Sequence, residues 1–477
     1  MNKRMIKFIL ALTCILLYNS SCKSPKDYAQ TKDIQLPSQF SFPINDSLNS
    51  AQLNWREFIQ DSLLKLHIDT LLKSNFDLKI SNQKVFMSQA DLAVAKGNLL
   101  PTAGFNLAGN MKRFGLYTMD GAGNASTDIT PGNLVPVNLP DIFVGLQAAW
   151  EVDVFGKNRN LRRSAQAGLL QQMYEQKKLQ TQLISDFCNQ YFELIAAKQY
   201  LNIVVENIRK QAEMLEITEQ LKLAGRTTEL AVQQFKISLS EFKALEIELK
   251  QEIVEKENEI RFMLGKSDFV FQENQSDLGF KIAKINAGVP SQLLLNRPDI
   301  LAAQFALRAA GFDVRSAKAA FYPNLTITGS FGYQAFNSRY LFVSPASIAY
   351  QAIGSILQPL VNRAAIKGEF KRANARQIEA LTIYHQTILQ AFFEVKNQLS
   401  LLDKLNDLQN LAKERIEIVQ SSGEIYSDLY MAAKANYLEV LAAQQNALEA
   451  QFQLIELEKR NNITLVNTYR ALGGGWK

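Results

Sequence analysis

Four segments of about ten residues alternate apolar and polar side chains, in a chain whose other long stretches read as helix. In TAGFNLAGNMK, Ala103, Phe105, Leu107 and Met111 fall on one face. DIFVGLQAAWEVDV puts Ile142, Val144, Leu146, Ala148, Trp150 and Val152 in one row, and NLTITGSFGYQ does the same with Leu325, Ile327, Phe331 and Tyr333. PASIAYQAIGSILQPL supplies the fourth. A period of two is a strand signal, and the length and two-faced pattern are those of strands crossing an outer membrane. In hydrocarbon, an unpaired sheet edge leaves N–H and C=O groups without partners, so such a sheet must close, which takes about eight strands or more. One chain with four strands cannot close it. Two chains would give eight strands around a filled interior; three would give twelve around an open lumen. The other reading is a small soluble sheet packed on the helices.

The helices are as informative. Ser62 to Gly97 is expected as one helix, closed before LLP. After the second strand the period changes to three and four, with Leu183, Phe187, Tyr191, Leu194, Val204 and Ile208 in one stripe, the pattern of a coiled-coil helix. No proline interrupts residues 160 to 222, so a rod of roughly 90 Å is expected. LAGRTTEL breaks it, and a return helix of about 35 residues ends at FMLGKSD, where Gly265 is placed to cap it. The second half repeats this plan. A helix ends at Pro323 as the first ends at Pro101, and a long helix is expected from about Arg363 to Ser421, with Ile388, Phe392, Val395, Leu399 and Leu402 in its stripe. A return helix then ends in YRALGGGWK. Gly265 maps to Gly473 and Gly225 to Ala433 at an offset of 208, whereas Arg159 maps to Arg363 at 204, so the second long helix is expected to hold about one extra turn. Between the first two strands, GLYTMDGAGNASTDITPGN reads as a long exposed loop and its GAGNAS as a turn.

MNKRMIK, FILALTCILLY and NSSC read in turn as the basic, apolar and cleavage regions of an export leader over residues 1–21. The pattern resembles a bacterial lipoprotein signal in which Cys22 becomes the acylated first residue, although Asn19 stands where Leu is usual. Ordinary cleavage beside a bystander Cys22 is the alternative. Cys14 leaves with the leader, so Cys22 and Cys188 remain and disulfides do not hold the chain together. Residues 22–54 read as a polar, extended segment. Without Lys3, Arg4 and Lys7 the balance is 49 basic against 46 acidic side chains, which offers nucleic acid no electrostatic grip. From Asp61 onward, charges recur too often for the roughly 18-residue apolar run of a spanning helix. His67 and His385 each stand alone on an expected helix, no cluster has metal-ligand spacing, and no phosphate-cradling loop follows a strand. No catalytic residue, metal or cofactor is expected, which leaves an enzyme as the minor reading.

LLLNRPDILAAQFALRAAGFDVRSAKAAFYPNLTITGSFG resembles the hallmark of the outer membrane factor (TolC/OprM/NodT-like) family, in which an RRPDI helix leads to A...FFP and a strand; Asn296 stands where many members have Arg. WEVDVFGKNRNLRR is similar to the family's strand-to-helix junction, YLEVLAAQQNALEAQ to its YLDVLDAQ return helix and LVNTYRALGGGW to its C-terminus, so the resemblance runs from Trp55 to Trp476. It implies a mainly α chain with a β-barrel part. Long antiparallel coiled-coil helices would form a trimeric α-barrel, and four strands per chain would contribute to a 12-stranded outer-membrane β-barrel. On this plan, residues 55–265 form the first repeat (strands about 102–113 and 141–154), 266–297 an equatorial linker, and 298–477 the second repeat (strands about 324–334 and 345–360).

The resemblance further implies an outer-membrane efflux lipoprotein: a homotrimeric exit duct passing substrates passively from periplasm to exterior. Its partners would be a periplasmic adaptor (membrane fusion protein), an inner-membrane transporter of RND type and outer-membrane lipid. A type I secretion duct and a non-channel structural coiled-coil lipoprotein are the alternatives. Diacylglycerol and an N-acyl chain on Cys22 are the covalent groups it implies. The family's adaptor-docking tips map to Gly225, Arg226 and Thr227 and to Ala433, which replaces a glycine. Its periplasmic gate maps to Leu438, Glu439 and Ala442, the last replacing an acid. Simpler readings stand beside these: Gly225 permits a turn, Leu438 is a coiled-coil core residue, Glu439 is solvated, and Arg297-Pro298-Asp299 is ordinary helix-start chemistry.

Overall fold

The computed structural model describes Pro37 and residues 49–271, 278–280, 282–283, 285–359, 363–432 and 434–476. The leader, Cys22, most of the 22–54 segment and Ala433 lie outside the described residues. Among those described, the helices are α1 (Trp55–Phe58), α2 (Ser62–Ser74), α3 (Phe76–Gly97), α4 (Met119–Ser126), α5 (Lys157–Leu223), α6 (Glu229–Leu264), α7 (Leu293–Asn296), α8 (Pro298–Ala319), α9 (Ala364–Met431) and α10 (Tyr437–Ala471). The strands are β1 (Thr102–Lys112), β2 (Asp128–Thr130), β3 (Asn133–Leu134), β4 (Leu139–Val152), β5 (Asn324–Ala335) and β6 (Ile348–Leu357). The chain divides into two compact units. One takes in residues 88–169 and 306–381, which hold every strand and the helix ends adjoining them; the other holds residues 49–87, 170–305 and 382–476.

In the first unit the four long strands pair antiparallel in the order β1-β4-β5-β6. Phe105 faces Leu146, Leu146 faces Phe331, and Phe331 faces Tyr350, so the apolar rows of all four strands share one face. Among the described residues neither β1 nor β6 has a strand on its outer side, so the sheet is open and closes no barrel by itself. The segment expected as a loop is more ordered than its composition suggests. MDGAGNAS is the helix α4, followed by the small β2-β3 ribbon. Two glycines and an asparagine make this a poor helix. It forms because Thr118 Oγ1 accepts the Gly121 N–H (3.1 Å) and because residue 121 lies against the Gly115 carbonyl, where a built Cβ would come within 2.0 Å of the oxygen. GAGNAS is therefore helix, and its Gly121 serves a close approach rather than a turn.

In the second unit α5 packs on α6 and on α10, and α10 packs on α9. Lys256–Glu193 (2.5 Å) and Lys198–Glu257 (3.3 Å) join the first pair. Tyr200 OH to Glu456 (3.1 Å) and Ser185 Oγ to Asn467 (2.8 Å) join the second, and Arg415 to Gln453 (2.7 Å) the third. The layer order is thus α6-α5-α10-α9, with its core along the seams: Val204, Phe242, Leu249 and Leu448 in one cluster, Leu405, Ala412 and Leu457 in another.

Two expectations for the helices are corrected. The helix expected over 62–97 is broken at Asn75, whose side chain accepts from Leu78 N and donates to Met263 O (2.8 Å), ending one helix and starting the next against the end of α6. The long helices have 67 and 68 residues and their returns 36 and 35, so there is no extra turn. Arg159 and Arg363 are not equivalent: the former is inside α5 and pairs with Asp153 (3.1 Å), while the latter precedes α9 and donates to Phe321 O.

Candidate functional site

No single cleft gathers chemistry here; among the described residues no group of His, Cys, Asp and Glu can hold a metal, and no helix is long and apolar enough to cross a membrane. The candidate features are the sheet face, the hairpin tips and a buried ion cluster. On the sheet, Phe105, Leu146, Phe331 and Tyr350 are all well exposed (72, 59, 61 and 81%). The opposite face is polar and internally bonded, with Asn106 donating to Gln147 (2.9 Å) and Gln334 to Asp141 (2.7 Å).

The first tip closes by hydrogen bonds that follow from Gly225. Its φ of +70° lets Arg226 N reach Leu221 O (2.8 Å) and Gly225 N reach Lys222 O (2.9 Å), the paired bonds that end a helix at a left-handed residue. Thr228 then caps α6. Arg226 is exposed and, among the described residues, unpaired; Thr227 is half-buried. At the second tip Lys434 N reaches Leu429 O (2.7 Å), the same bond 208 positions on, while Ala433 lies outside the described residues. Beneath the tips, Met214, Phe235, Tyr430 and Val440 form one core, with the buried Tyr430 OH donating to Thr218 Oγ1 (3.2 Å).

Leu438, Glu439 and Ala442 lie together on the exposed side of α10, away from that core, with Leu438 54% exposed. Leu438 is thus not a core residue within one chain. Glu439 has a local duty: its carboxylate accepts Asn436 N (2.8 Å) while Asn436 Oδ1 accepts Leu438 N (3.2 Å), a reciprocal cap at the start of α10.

Arg297 and Asp299 do more than start a helix. Arg297 is 8% exposed and grips Asp299 through two nitrogens (3.0 and 2.7 Å), Glu394 Oε2 (2.7 Å) and Ala471 O (2.7 Å). Arg470 holds the other Glu394 oxygen (2.7 Å) and also Gln182 (2.8 Å). Burial pushes the Asp299 carboxyl up, but the Arg297 grip outweighs it and keeps the group below the usual carboxylate range. Two positive and two negative groups thus lock α8, α9, α10 and α5 together. Glu394 and Arg470 were not singled out by sequence; the available signal was a carboxylate set inside the apolar run AFFEV.

The chain matches the family described as outer membrane efflux protein over residues 67–266 and 289–474. It is 26% identical to the cation efflux system protein CusC of Escherichia coli O6:H1, over 97% of this chain and 98% of that one. It is 28% identical to the pyoverdine export outer membrane protein OpmQ of Pseudomonas aeruginosa, over 98 and 96%. Among solved structures, CusC superposes with a TM-score of 0.82 at 25% identity, covering 95% of this chain and 100% of that one. The open-state MtrE channel of Neisseria gonorrhoeae shares the fold at 0.82 and 22%, covering 95 and 98%. With the family matched in both halves of the chain, the chain belongs to the outer membrane efflux proteins, and it is a channel protein of the outer membrane rather than an enzyme.

Proposed function

We propose that three copies of this chain form the exit duct of a tripartite efflux pump, joined through a periplasmic adaptor to an inner-membrane transporter of RND type. The observation that carries the reading is that, among the described residues, the sheet ends in unpaired strands β1 and β6 and the hairpin helices α6 and α9 leave apolar side chains exposed along their length. A heterologous edge-to-edge contact closes into a ring when the rotation per copy permits, and three copies reach twelve strands and an open lumen. The edge helices carry what such a contact needs. Leu230, Ile237, Ile247 and Val254 are exposed along α6, and Leu411, Ile418 and Ile425 recur every seven residues along α9. Counted from their tips, Ile237 lies level with Ile425 and Ile247 near Leu411. The apolar row Ile142 to Val152 runs about 33 Å along β4, and at a tilt of roughly 40° it spans about 25 Å, the height of a lipid-facing barrel band.

The cargo is chosen elsewhere in the pump. Relatives of nearly equal identity are described as exporting cations, pyoverdine and solvents, which fits a passive duct. The tip residues Gly225, Arg226, Thr227 and Ala433 would meet the adaptor, and Arg226→Glu should weaken adaptor cross-linking with trimers intact. Cys22 would carry the acyl chains, a relative in Salmonella typhimurium being described as a probable outer membrane lipoprotein; lipid labelling that persists in Cys22→Ala would refute this.

Leu438, Glu439 and Ala442 would ring the axis, with Leu438 closing the pore by dewetting and Glu439 favouring cations. Planar-bilayer recording tests this. Leu438→Ala should raise resting conductance. Glu439→Gln should lower cation selectivity, and because Gln also completes the cap the fold is spared. Parental conductance and selectivity in both variants would place the constriction elsewhere.

A further inference from the structure

The helix ends adjoining the sheet carry a lopsided charge. Residues 88–100, 153–169, 306–323 and 363–381 hold thirteen Lys and Arg against five Asp and Glu. Beyond the other end of the strands, residues 112–141 and 336–347 hold three against three, Lys112, Arg113 and Arg339 facing Asp120, Asp128 and Asp141. The excess is therefore confined to one end of the sheet, and a solvated helix surface of ordinary composition does not account for it.

Part of this charge is neutralised internally: Lys157 pairs with Glu151 (3.1 Å), Arg159 with Asp153 (3.1 Å) and Arg372 with Glu369. Arg163, Lys367 and Lys371 are exposed and have no ion-pair partner among the described residues. They lie three to seven residues past the starts of α5 and α9, within about 11 Å of those starts. Aromatic groups mark the level just above. Trp150 donates to Leu99 O (3.1 Å) at the end of the apolar row, and Phe155 stacks on Tyr322 at 4.9 Å, both Trp150 and Phe155 partly open. Such rings favour the boundary between hydrocarbon and headgroups, and the headgroup layer beyond it is about 5–8 Å deep.

From this we infer that the basic helix ends bind the anionic headgroups of phospholipids in the leaflet at the helical end of the barrel. The inference rests on the reading of the apolar sheet face as lipid-facing. Charge complementarity names the occupant: a phosphate-bearing lipid surface begins where the apolar face ends, and the free cations lie within about 11 Å of the helix starts that follow it, comparable to a screening length of about 8–10 Å. A basic residue beside an anionic leaflet attracts it strongly enough for several together to impose a preference among lipids.

The test uses the full chain in neutral detergent, titrated with short-chain phosphatidylglycerol or phosphatidylcholine, with bound lipid counted by native mass spectrometry. The anionic lipid should bind on the order of tenfold more tightly at low salt, and the preference should collapse in R163E/K367E/K371E and shrink as ionic strength rises. Equal binding of the two lipids by the parent, or an unchanged preference in the triple variant, overturns the proposal. In zwitterionic bilayers the triple variant should keep the parent's reversal potential across a salt gradient; a shift toward cation selectivity would assign these charges to anions in the lumen and overturn the lipid assignment. Channel formation in those bilayers tests the underlying reading separately. Failure to insert overturns the lipid-facing sheet and this proposal with it, whereas insertion without lipid preference overturns this proposal alone.

Discussion

The four-stranded sheet and the four long helices are layers of similar plan, two elements from each half of the chain, but they leave different parts of themselves uncovered. In the sheet the apolar side chains cover a whole face, from Phe105 through Leu146 and Phe331 to Tyr350. In the hairpins they withdraw into seams such as Val204–Phe242–Leu249–Leu448, and exposed stripes remain on the edge helices. An apolar face requires an apolar solvent. An apolar edge stripe in water requires a second helix, and in the duct proposed above that helix belongs to another copy.

Internal support should separate the two layers most sharply. The Arg297 cluster belongs to the hairpin unit, and Arg297→Ala would leave Asp299 and Glu394 without their shared cation. Breaking a buried ion pair from one side costs about 3–5 kcal/mol, so the urea midpoint of the helical signal should fall markedly; an unchanged midpoint would show that the cluster is not structural. The faces come next. Leu146→Arg should cost about 2–4 kcal/mol of bilayer assembly if it meets the middle of the lipid band, whereas Gln147→Arg, one residue on and on the polar face, should cost little. Equal costs would erase the distinction between the faces.

The edges should yield less per site. Ile247→Lys and Ile418→Lys should each remove roughly 1.5–3 kcal/mol of association, read by analytical ultracentrifugation as loss of trimer at unchanged helicity; trimers that persist in the double variant would break the edge argument. Smallest is a pH effect confined to the hairpin unit. His67 is buried among Phe187, Tyr191 and Phe269, its Nδ1 without a partner, and burial holds its pKa below the ordinary 6.5, with Asp61 opposing in part. The unfolded chain therefore binds that proton more readily, so the stabilisation is complete above 6.5 and declines as pH falls below it, by at most about 1.4 kcal/mol per pH unit. His67→Leu should flatten that decline; an equally steep acid limb would assign it to other groups.

The long periodic elements were legible because their patterns need only local sequence. Strand β5 was readable from Leu325, Ile327, Phe331 and Tyr333 alone, and α5 from its stripe and its lack of proline. Reading failed where a distant group decides the backbone. Asn75 ends a helix because Met263 O accepts its amide, 188 residues away. The helix at Met119–Ser126 exists against its composition because Thr118 caps it and Gly115 lies close. Matching Arg159 to Arg363 by identity placed a turn that the helices lack, since the two side chains serve different contacts.

Sequence by itself determined the four two-faced strands, the paired long hairpins and the turn at Gly225, because period, proline and glycine act through neighbouring residues. Only the tertiary structure decided which apolar positions stay uncovered, that Leu438 faces away from the tip core, and that Glu394 and Arg470 join Arg297 and Asp299 in one buried cluster. Those outcomes depend on which helix lies beside which, and the order α6-α5-α10-α9 is set by seams such as Ser185–Asn467, between residues 282 positions apart, a distance over which a local pattern carries no information.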